Sequence, residues 1–176
     1  MPVRAPGGLS RLPLMGDSRY GRCLTEDTAL MTSGILAGAF VLGRYGLRPA
    51  TTQLPVQTHV AVRQALIRSL HLLMPRLMVA TIGSSFMAAI AARGSTARRI
   101  GLASAVLPLV LTRFGNVPLN DQMLTWTPAA PPSDWRSVVD RWDRFDTLRT
   151  LAAIATFVCQ VLACHDTHSD RQVQHA

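Results

Sequence analysis

The chain has 176 residues, which is the length of one domain. Hydrophobic residues make up 48% of it and charged residues 16%, whereas roughly 25% of an average soluble domain is charged. The net charge of +8 comes from arginine alone, because the sequence contains no lysine. The arginines are spread along the chain, only 6% of residues are aromatic, and no nucleic-acid-binding motif is visible. The composition argues against nucleic acid as a partner and favours a chain that lies partly in lipid.

Four apolar runs follow one another, at residues 29–43, 77–92, 100–111 and 150–164. Each has about 12 to 16 residues, fewer than the roughly 17–25 of a spanning helix, so a soluble helical bundle is an alternative. Two features favour lipid. A flanking arginine can reach outward and extend each run to about 20 residues, and small residues recur at a four-residue spacing that lets membrane helices pack closely. These small residues are Gly34, Gly38, Ala80, Ser84, Ala88 and Ala92.

We therefore predict an all-α fold, a four-helix transmembrane bundle that crosses the cell membrane several times. The membrane domain is expected to cover residues 28–164. Residues 1–27 are rich in Gly, Pro and Arg and lack a continuous apolar core, so they are predicted to be a disordered tail rather than a signal peptide. Residues 165–176 are predicted to be a second disordered tail. Arginines flank the runs at both ends, so their distribution leaves the orientation open.

Helices 2 and 4 are predicted to extend beyond the bilayer on one face. After Pro55 a helical pattern continues over residues 56–92, and a helix of that length is about 55 Å long. Pro75 is expected to kink it. The first part of this helix is expected to turn one stripe inward and to leave Gln64 on the opposite, polar side. The stripe comprises Val56, His59, Val60, Arg63, Ile67, Leu70, His71 and Met74.

The start of helix 4 has the same two-sided pattern. Trp135, Val138, Val139, Trp142 and Phe145 form one stripe. The other face, with Arg136, Asp140, Asp143 and Arg144, is interpreted as solvated. Asp146 and Arg149 differ, because they fall on the tryptophan side, three residues apart, where the last apolar run begins. A charge pair at that depth is either functional or a structural ion pair.

The segment FGNVPLN follows the third apolar run. Pro118 is expected to end the helix, because proline cannot continue the hydrogen-bond ladder. Asn116 and Asn120 carry both donors and acceptors, so they can pair the backbone groups that the break leaves free. In a functional reading, the same carboxamides face a ligand. Alternating passes place this turn beside the starts of helices 2 and 4, which can bring one set of polar residues to a common pocket. The set comprises His59, Arg63, Asn116, Asn120, Trp142, Asp146 and Arg149.

GNVPLN followed by Trp126, and DWRSVVDRWDRFDTLRT entering the last apolar helix, resemble the small four-helix membrane proteins of the anthrone oxygenase-like family. RPATTQLPVQTHVAVRQALIRSLHLLMPRLM is similar to that family's first loop and second helix. The resemblance covers residues 28–164 and implies a four-helix integral membrane fold. For the characterised branch it implies oxidation of an anthrone to an anthraquinone by O₂ without metal or flavin. Asn116, Asn120, Trp142 and Arg149 fall at the family's motif positions.

Such chemistry needs a base, a donor for the developing oxyanion and a dry pocket. The candidate bases are His59, His71, Asp121 and Asp146. Histidine suits this role best because its ordinary pKa is near neutral, and His59 stands one turn before Arg63. We assign catalytic roles to His59, Arg63, Asn116, Asn120 and Arg149. Contacts with a small aromatic substrate are assigned to Trp126, Trp142 and Asp146.

No metal site or cofactor is predicted. The segment CHDTH at residues 164–168 has ligand-like residues, but it lies in the polar tail. The lipid bilayer is the expected environment, and a homo-oligomer is left open. The rival hypothesis is a non-enzymatic small membrane subunit or scaffold, in which the asparagine and arginine motif only holds the bundle together.

Overall fold

The computed structural model describes residues 15–91 and 95–173, and most of them are helical. These residues form seven α-helices and two π-helical turns. In chain order they are α1 Met15–Val41, the first π-helical turn Leu42–Leu47, α2 Arg48–Thr52, α3 Val56–Leu70, α4 Leu73–Ala91, α5 Thr96–Leu111, the second π-helical turn Thr112–Asn116, α6 Val117–Leu124 and α7 Trp135–Val173.

Four helical stretches of the described chain are long and apolar enough to cross a membrane. These spans are Cys23–Thr52, Leu73–Ala91, Thr96–Leu124 and Trp135–His165. Large apolar side chains such as Ile35, Phe86 and Leu162 are about half exposed along them, as expected of a surface that faces lipid. The predicted four-helix transmembrane fold is therefore confirmed. The spans exceed the apolar runs because helical turns that carry arginine extend them.

The four spans pack as a ring, in which α1 and α5 each lie against both α4 and α7. Leu36 and Phe40 of α1 meet Met78 of α4 and Ala153 of α7 in a buried apolar cluster. Two turns before Phe40 in α1, the hydroxyl group of Thr32 forms a hydrogen bond of 2.8 Å with that of Ser84 in α4.

The small-residue ridges predicted from the sequence contribute unevenly to this packing. Gly34 lies against the Phe157 ring of α7. In contrast, Ala80 is exposed and a side chain at Gly38 would meet open space. Ala92 lies outside the described residues. Ser84 pairs with Thr32 and Ala88 is fully buried, so the small residues pack at separate positions and not along a continuous ridge.

Both π-helical turns occur where an odd-numbered span approaches its end, and their sequences are alike: RYGLRP at residues 44–49 and RFGNVP at residues 113–118. In each, the arginine guanidinium lies 5.9 Å from the centre of the next aromatic ring. In each, the proline stands in the first turn of the following short helix, where its fixed φ suits the helix. The wider π-helical turn accommodates the carbonyl that proline cannot pair.

The predicted break at Pro118 is consequently wrong in detail. The third span stays helical through FGNVPLN by way of the second π-helical turn. Asn116 and Asn120 are thus not needed to repair a non-helical backbone.

The second predicted helix is two helices. α3 ends at Leu70 and α4 begins at Leu73, so the expected continuous helix over residues 56–92 with a kink at Pro75 is corrected. Proline has no N–H to donate to the carbonyl four residues earlier, and its ring clashes with that carbonyl. For Pro75 this residue is His71, and the helix is interrupted there. α3 lies outside the four spans and covers one end of the bundle.

α3 is held in place by two buried polar side chains. The Nδ1 of His59 lies 2.8 Å from the Thr51 carbonyl at the end of α2. The Nε2 of Gln64 donates to the carbonyls of Met123 and Trp126, both at 2.9 Å, at the end of α6. Gln64 was expected on the polar side but is 4% exposed. A carboxamide can enter this interface because it pairs carbonyls that a helix end leaves free.

The predicted tails are helical where they are described. α1 begins at Met15, within the predicted tail of residues 1–27, and residues 1–14 lie outside the described part. α7 continues through residues 165–173.

At the end of the bundle far from α3, Glu26 and Arg98 form a buried ion pair at 2.8 Å. In the interior, Gln160 of α7 donates to Ser85 of α4 at 3.0 Å.

Candidate functional site

A cavity of about 610 Å³ lies at the end of the bundle covered by α3. Both π-helical turns reach it, through Gly43 and Leu47 in the first span and Thr112 in the third. Its polar lining includes Arg63, Asn120, Trp142, Asp146 and Arg149, five of the residues that the sequence predicted to converge. The apolar lining includes Phe40, Leu66, Ile67, Leu70, Met74, Val117 and Leu124.

Trp142 connects the third and fourth spans at this cavity. Its indole Nε1 donates to Asn120 Oδ1 at 2.7 Å, and its backbone carbonyl accepts a hydrogen bond from Asn116 Nδ2 at 3.2 Å. Asn116 is fully buried and does not line the cavity, and its Oδ1 has no hydrogen-bond partner in the described structure. The two asparagines of GNVPLN therefore fix the tryptophan, while Asn120 alone of the two reaches the cavity.

Two guanidinium groups lie over the Trp142 ring. The Cζ of Arg63 is 4.7 Å from the ring centre, and that of Arg149 is 4.9 Å away. Arg149 also lies 4.8 Å from the ring centre of Phe40. Cation–π contacts of this kind hold a guanidinium in a partly apolar site while leaving N–H donors available.

The ion pair expected between Asp146 and Arg149 is present. Arg149 Nη2 lies 2.7 Å from Asp146 Oδ1, and both side chains are largely buried. Arg149 Nη1 also donates to the Thr112 hydroxyl at 3.4 Å. These contacts do not use all five N–H groups of the guanidinium.

Asp143 was interpreted as part of a solvated face, and the structure corrects this. It is 6% exposed and forms ion pairs with Arg48 of α2 and, at 3.5 Å, with Arg63 of α3. Its partners lie on other elements, so the pattern around residue 143 alone gave no signal of its burial. Asp143 thereby links α2, α3 and α7 behind the cavity.

The electrostatic environment of Arg63 follows from these contacts. Burial lowers the pKa of its guanidinium, whereas the nearby Asp143 carboxylate raises it. Arginine remains protonated in proteins. Arg63 therefore presents a positive charge to the cavity, and Asp143 compensates part of its desolvation.

Although its partner Thr51 lines the cavity, His59 does not. It is 3% exposed, and its ring stands 5.5 Å from that of Trp135. Its Nδ1 must carry the proton donated to the Thr51 carbonyl, since a carbonyl only accepts. The Nε2 is buried without a hydrogen-bond partner in the described structure. Its turn-spacing from Arg63 does not bring the two side chains to one surface, because only Arg63 lines the cavity.

His71 is the histidine that lines the cavity. It stands at the junction of α3 and α4 and is exposed. Its Nδ1 lies 2.6 Å from the Arg68 carbonyl, so Nδ1 carries a proton and the neutral ring keeps a lone pair on Nε2. Asp121 of α6 also lines the cavity and is exposed.

Trp126 lies outside the cavity lining. It is partly buried against the cluster of Leu119, Met123, Val138 and Val139, and its carbonyl accepts from Gln64. Trp126 thus packs in this apolar cluster and does not line the cavity. The burial of Gln64 was not predicted from the sequence. Gln64 follows Val60 by four residues and precedes Ile67 by three, a helical spacing that could have placed it on the buried face.

The site combines an apolar chamber with fixed hydrogen-bond donors at one side. Within the described residues, no group of three or more His, Cys, Asp and Glu side chains is placed to hold a metal ion. The arrangement can bind a flat apolar molecule and stabilise negative charge that develops on an oxygen of that molecule.

The fold and this cavity define a multi-pass helical membrane protein with a ligand-sized chamber at one end of the bundle. The family model described as "Anthrone oxygenase" matches residues 63–159, which is more than half of the chain and includes every cavity residue from α3, α4, α6 and α7. The chain therefore belongs to the anthrone oxygenase family. Neither curated proteins nor solved structures give a significant match.

Proposed function

We propose that this protein is a cofactor-independent oxygenase of the cell membrane that oxidises an anthrone-type polycyclic aromatic substrate with O₂. The observation that carries the proposal is the placement of Arg63, Arg149 and Asn120 around Trp142 at one side of an apolar cavity. Membership of the family supports the reaction class.

The cavity suits a fused-ring ketone. Its volume of about 610 Å³ falls in the range of roughly 300–1,000 Å³ for small-molecule sites. Phe40, Ile67, Leu70 and Met74 offer apolar walls. The substrate's ketone oxygen would lie towards Arg63 and Arg149, which supply the charged donors of the site, and Trp142 would orient the ring system.

The proposed reaction converts the methylene carbon opposite the ketone into a second carbonyl. A base removes one methylene proton, and the negative charge is delocalised to the ketone oxygen, where the guanidinium groups stabilise it. The carbon then forms a bond to O₂, which is reduced and protonated to a hydroperoxide. Loss of the second proton from this carbon breaks the O–O bond and releases water. Substrate and O₂ thus give quinone and one water.

His71 is the base that the cavity geometry favours. Its neutral Nε2 lone pair is available because Nδ1 is engaged by the Arg68 carbonyl, and an exposed histidine can exchange its proton with water. Asp146 also lines the cavity, but its Oδ1 is already engaged by Arg149. His59, favoured from the sequence, does not line the cavity.

The test is O₂ uptake by purified protein in lipid nanodiscs with anthrone as substrate. The parent protein is expected to consume O₂ and form anthraquinone. His71→Asn preserves a donor near the position of Nδ1 but removes the base, and it is expected to lower kcat by about 10²-fold or more. His59→Asn makes the equivalent change outside the cavity and is the matched control for the choice of base.

Arg149→Gln and Asn120→Leu separate an oxygenase from a scaffold. If the cavity is catalytic, turnover falls while the purified variants remain folded in nanodiscs. Absence of O₂ uptake by the parent, combined with loss of folding in both variants, would contradict the proposal and support the non-enzymatic scaffold.

A further inference from the structure

The cavity has an apolar side that lies within the first and second spans. Ala39, Gly43 and Leu47 contribute from the first span, and Met74 and Pro75 from the second. The charged residues Arg63, Asp146 and Arg149 come instead from α3 and the fourth span, whereas Arg48, which also lines the cavity, belongs to the first span. Arg48 is paired with Asp143, so the side formed by Ala39, Gly43, Leu47, Met74 and Pro75 is the apolar part of the lining.

The surface next to the apolar side is itself apolar and exposed. Leu47 is 41% exposed while lining the cavity, so the cavity reaches the protein surface there. Leu42 and Tyr45 beside it are 62% and 66% exposed, and Leu72 and Leu73 at the start of the second span are 52% and 56% exposed. Exposed apolar side chains at the level of the spans are typical of a surface that faces lipid rather than water.

The packing of α1 against α4 shows why the opening lies at this level. Leu36, Phe40 and Met78 pack together in the buried cluster, with Met74 at its edge. Beyond Phe40, the first π-helical turn packs on α7, where Arg44 Nε donates to the Thr147 hydroxyl at 3.0 Å. Gly43 lines the cavity but has no side chain to fill the space beside it, since a Cβ there would meet no atom within 4 Å.

We propose that this opening, between Gly43 and Leu47 of the first span and Leu70 and Met74 across the cavity, is a lateral portal through which the ligand enters from the bilayer. The ligand it admits is an uncharged fused-ring aromatic dissolved in the lipid. The inference rests on the proposed function for the identity of that ligand. Entry from lipid keeps the ligand out of water and delivers it directly to the donors on the opposite side of the cavity.

Gly43→Leu is the variant that tests the portal, because its side chain would project into open space at the opening. Gly38→Leu is the matched control, since Gly38 lies in the same span, also faces open space and does not line the cavity. Both proteins are placed in nanodiscs and mixed with vesicles that carry anthrone. Exclusion of O₂ prevents turnover, and binding is followed by quenching of tryptophan fluorescence.

A blocked portal slows entry and exit together. For Gly43→Leu we expect the association and dissociation rates to fall by about tenfold with little change in Kd, while Gly38→Leu keeps the parent rates. Unchanged association for Gly43→Leu, or faster dissociation with unchanged association, would overturn the portal. The second result would mean that residue 43 only touches the bound ligand.

A spin label gives a second measurement that involves no ligand. Leu47→Cys and Gln57→Cys are labelled after Cys23, Cys159 and Cys164 are replaced by alanine. The label at position 47 is expected to be relaxed more by O₂ than by a water-soluble nickel complex, and the label at position 57, on the exposed face of α3, shows the reverse. Preferential relaxation by nickel at position 47 would place the opening in water and overturn the proposal.

The two proposals can fail separately. Slowed binding in Gly43→Leu without anthrone oxidation by the parent would remove the oxygenase and retain the portal. Anthrone oxidation with unchanged binding rates in Gly43→Leu would retain the oxygenase and remove the portal.

Discussion

The indole of Trp142 donates its N–H to Asn120 Oδ1 at 2.7 Å, which joins the fourth span to the third at the wall of the cavity. The same tryptophan lies beneath Arg63 and Arg149. A change at Asn120 therefore acts on the ring that carries both guanidinium groups, although Asn120 lies on α6 and the two arginines lie on α3 and α7.

Asn120→Leu is expected to release the Trp142 indole. The N–H loses its acceptor in a half-buried site, so the free energy of unfolding falls by about 1 kcal/mol, and the tryptophan emission shifts as its environment changes. Thermal unfolding and fluorescence in detergent measure both effects. Gln122→Leu, on the exposed side of α6, is the control. Equal changes in the two variants would contradict the proposed role of the hydrogen bond.

Gln64→Leu is expected to loosen α3 without unfolding the spans. The substitution leaves the carbonyls of Met123 and Trp126 unpaired, at a cost of about 2 kcal/mol. Hydrogen exchange should accelerate in α3 and at the end of α6, because α3 lies outside the spans and opens as a local unit. Gln57→Leu, on the exposed face of α3, should leave exchange unchanged. Faster exchange throughout α5 and α7 would indicate that Gln64 supports the whole bundle instead.

Asp143→Asn is expected to destabilise the packing of α2 and α3 on α7. It removes the carboxylate shared by Arg48 and Arg63 and, with it, the interaction that raises the pKa of Arg63 against the lowering effect of burial. We expect a loss of about 2 kcal/mol, less than the roughly 3–5 kcal/mol for one partner of a fully buried pair, because Arg48 keeps 34% exposure and is screened by solvent.

Asp140→Asn is the matched control for Asp143, since it changes the same group on an exposed position of α7. Its unfolding temperature should stay at the parent value. If the two variants unfold at the same temperature, the ion pairs of Asp143 contribute nothing measurable to stability, as expected of a solvated carboxylate.

The sequence predicted the four spans and the polar end of the bundle because apolar runs and proline positions are local signals. It failed where the decisive contact lies on another element: Asp143 is buried by arginines of α2 and α3. It also missed a local signal, since RYGLRP and RFGNVP repeat the same arrangement ahead of Pro49 and Pro118. Single-position rules for proline predict a break, whereas a π-helical turn that ends before the proline lets the span continue.

Gly115→Ala is expected to destabilise the second π-helical turn. A Cβ at this position would stand 2.5–2.9 Å from three ring carbons of Phe145, so the ring or the helix must move, at a cost of about 1–3 kcal/mol. This exceeds the gain of up to about 1 kcal/mol from replacing glycine by alanine in a helix. Gly83→Ala, where a Cβ meets no atom within 4 Å, should therefore be neutral or stabilising.

A double-mutant cycle with Phe145→Leu separates the clash from a backbone effect. If the ring is the obstacle, Gly115→Ala costs less in the Phe145→Leu background, with a coupling energy of about 1 kcal/mol or more measured by thermal unfolding. Additive effects would show instead that glycine is required by the π-helical backbone itself. The clash would also displace the helix that carries Trp142, so the fluorescence of Gly115→Ala should change in parallel with its stability and recover with it in the double variant.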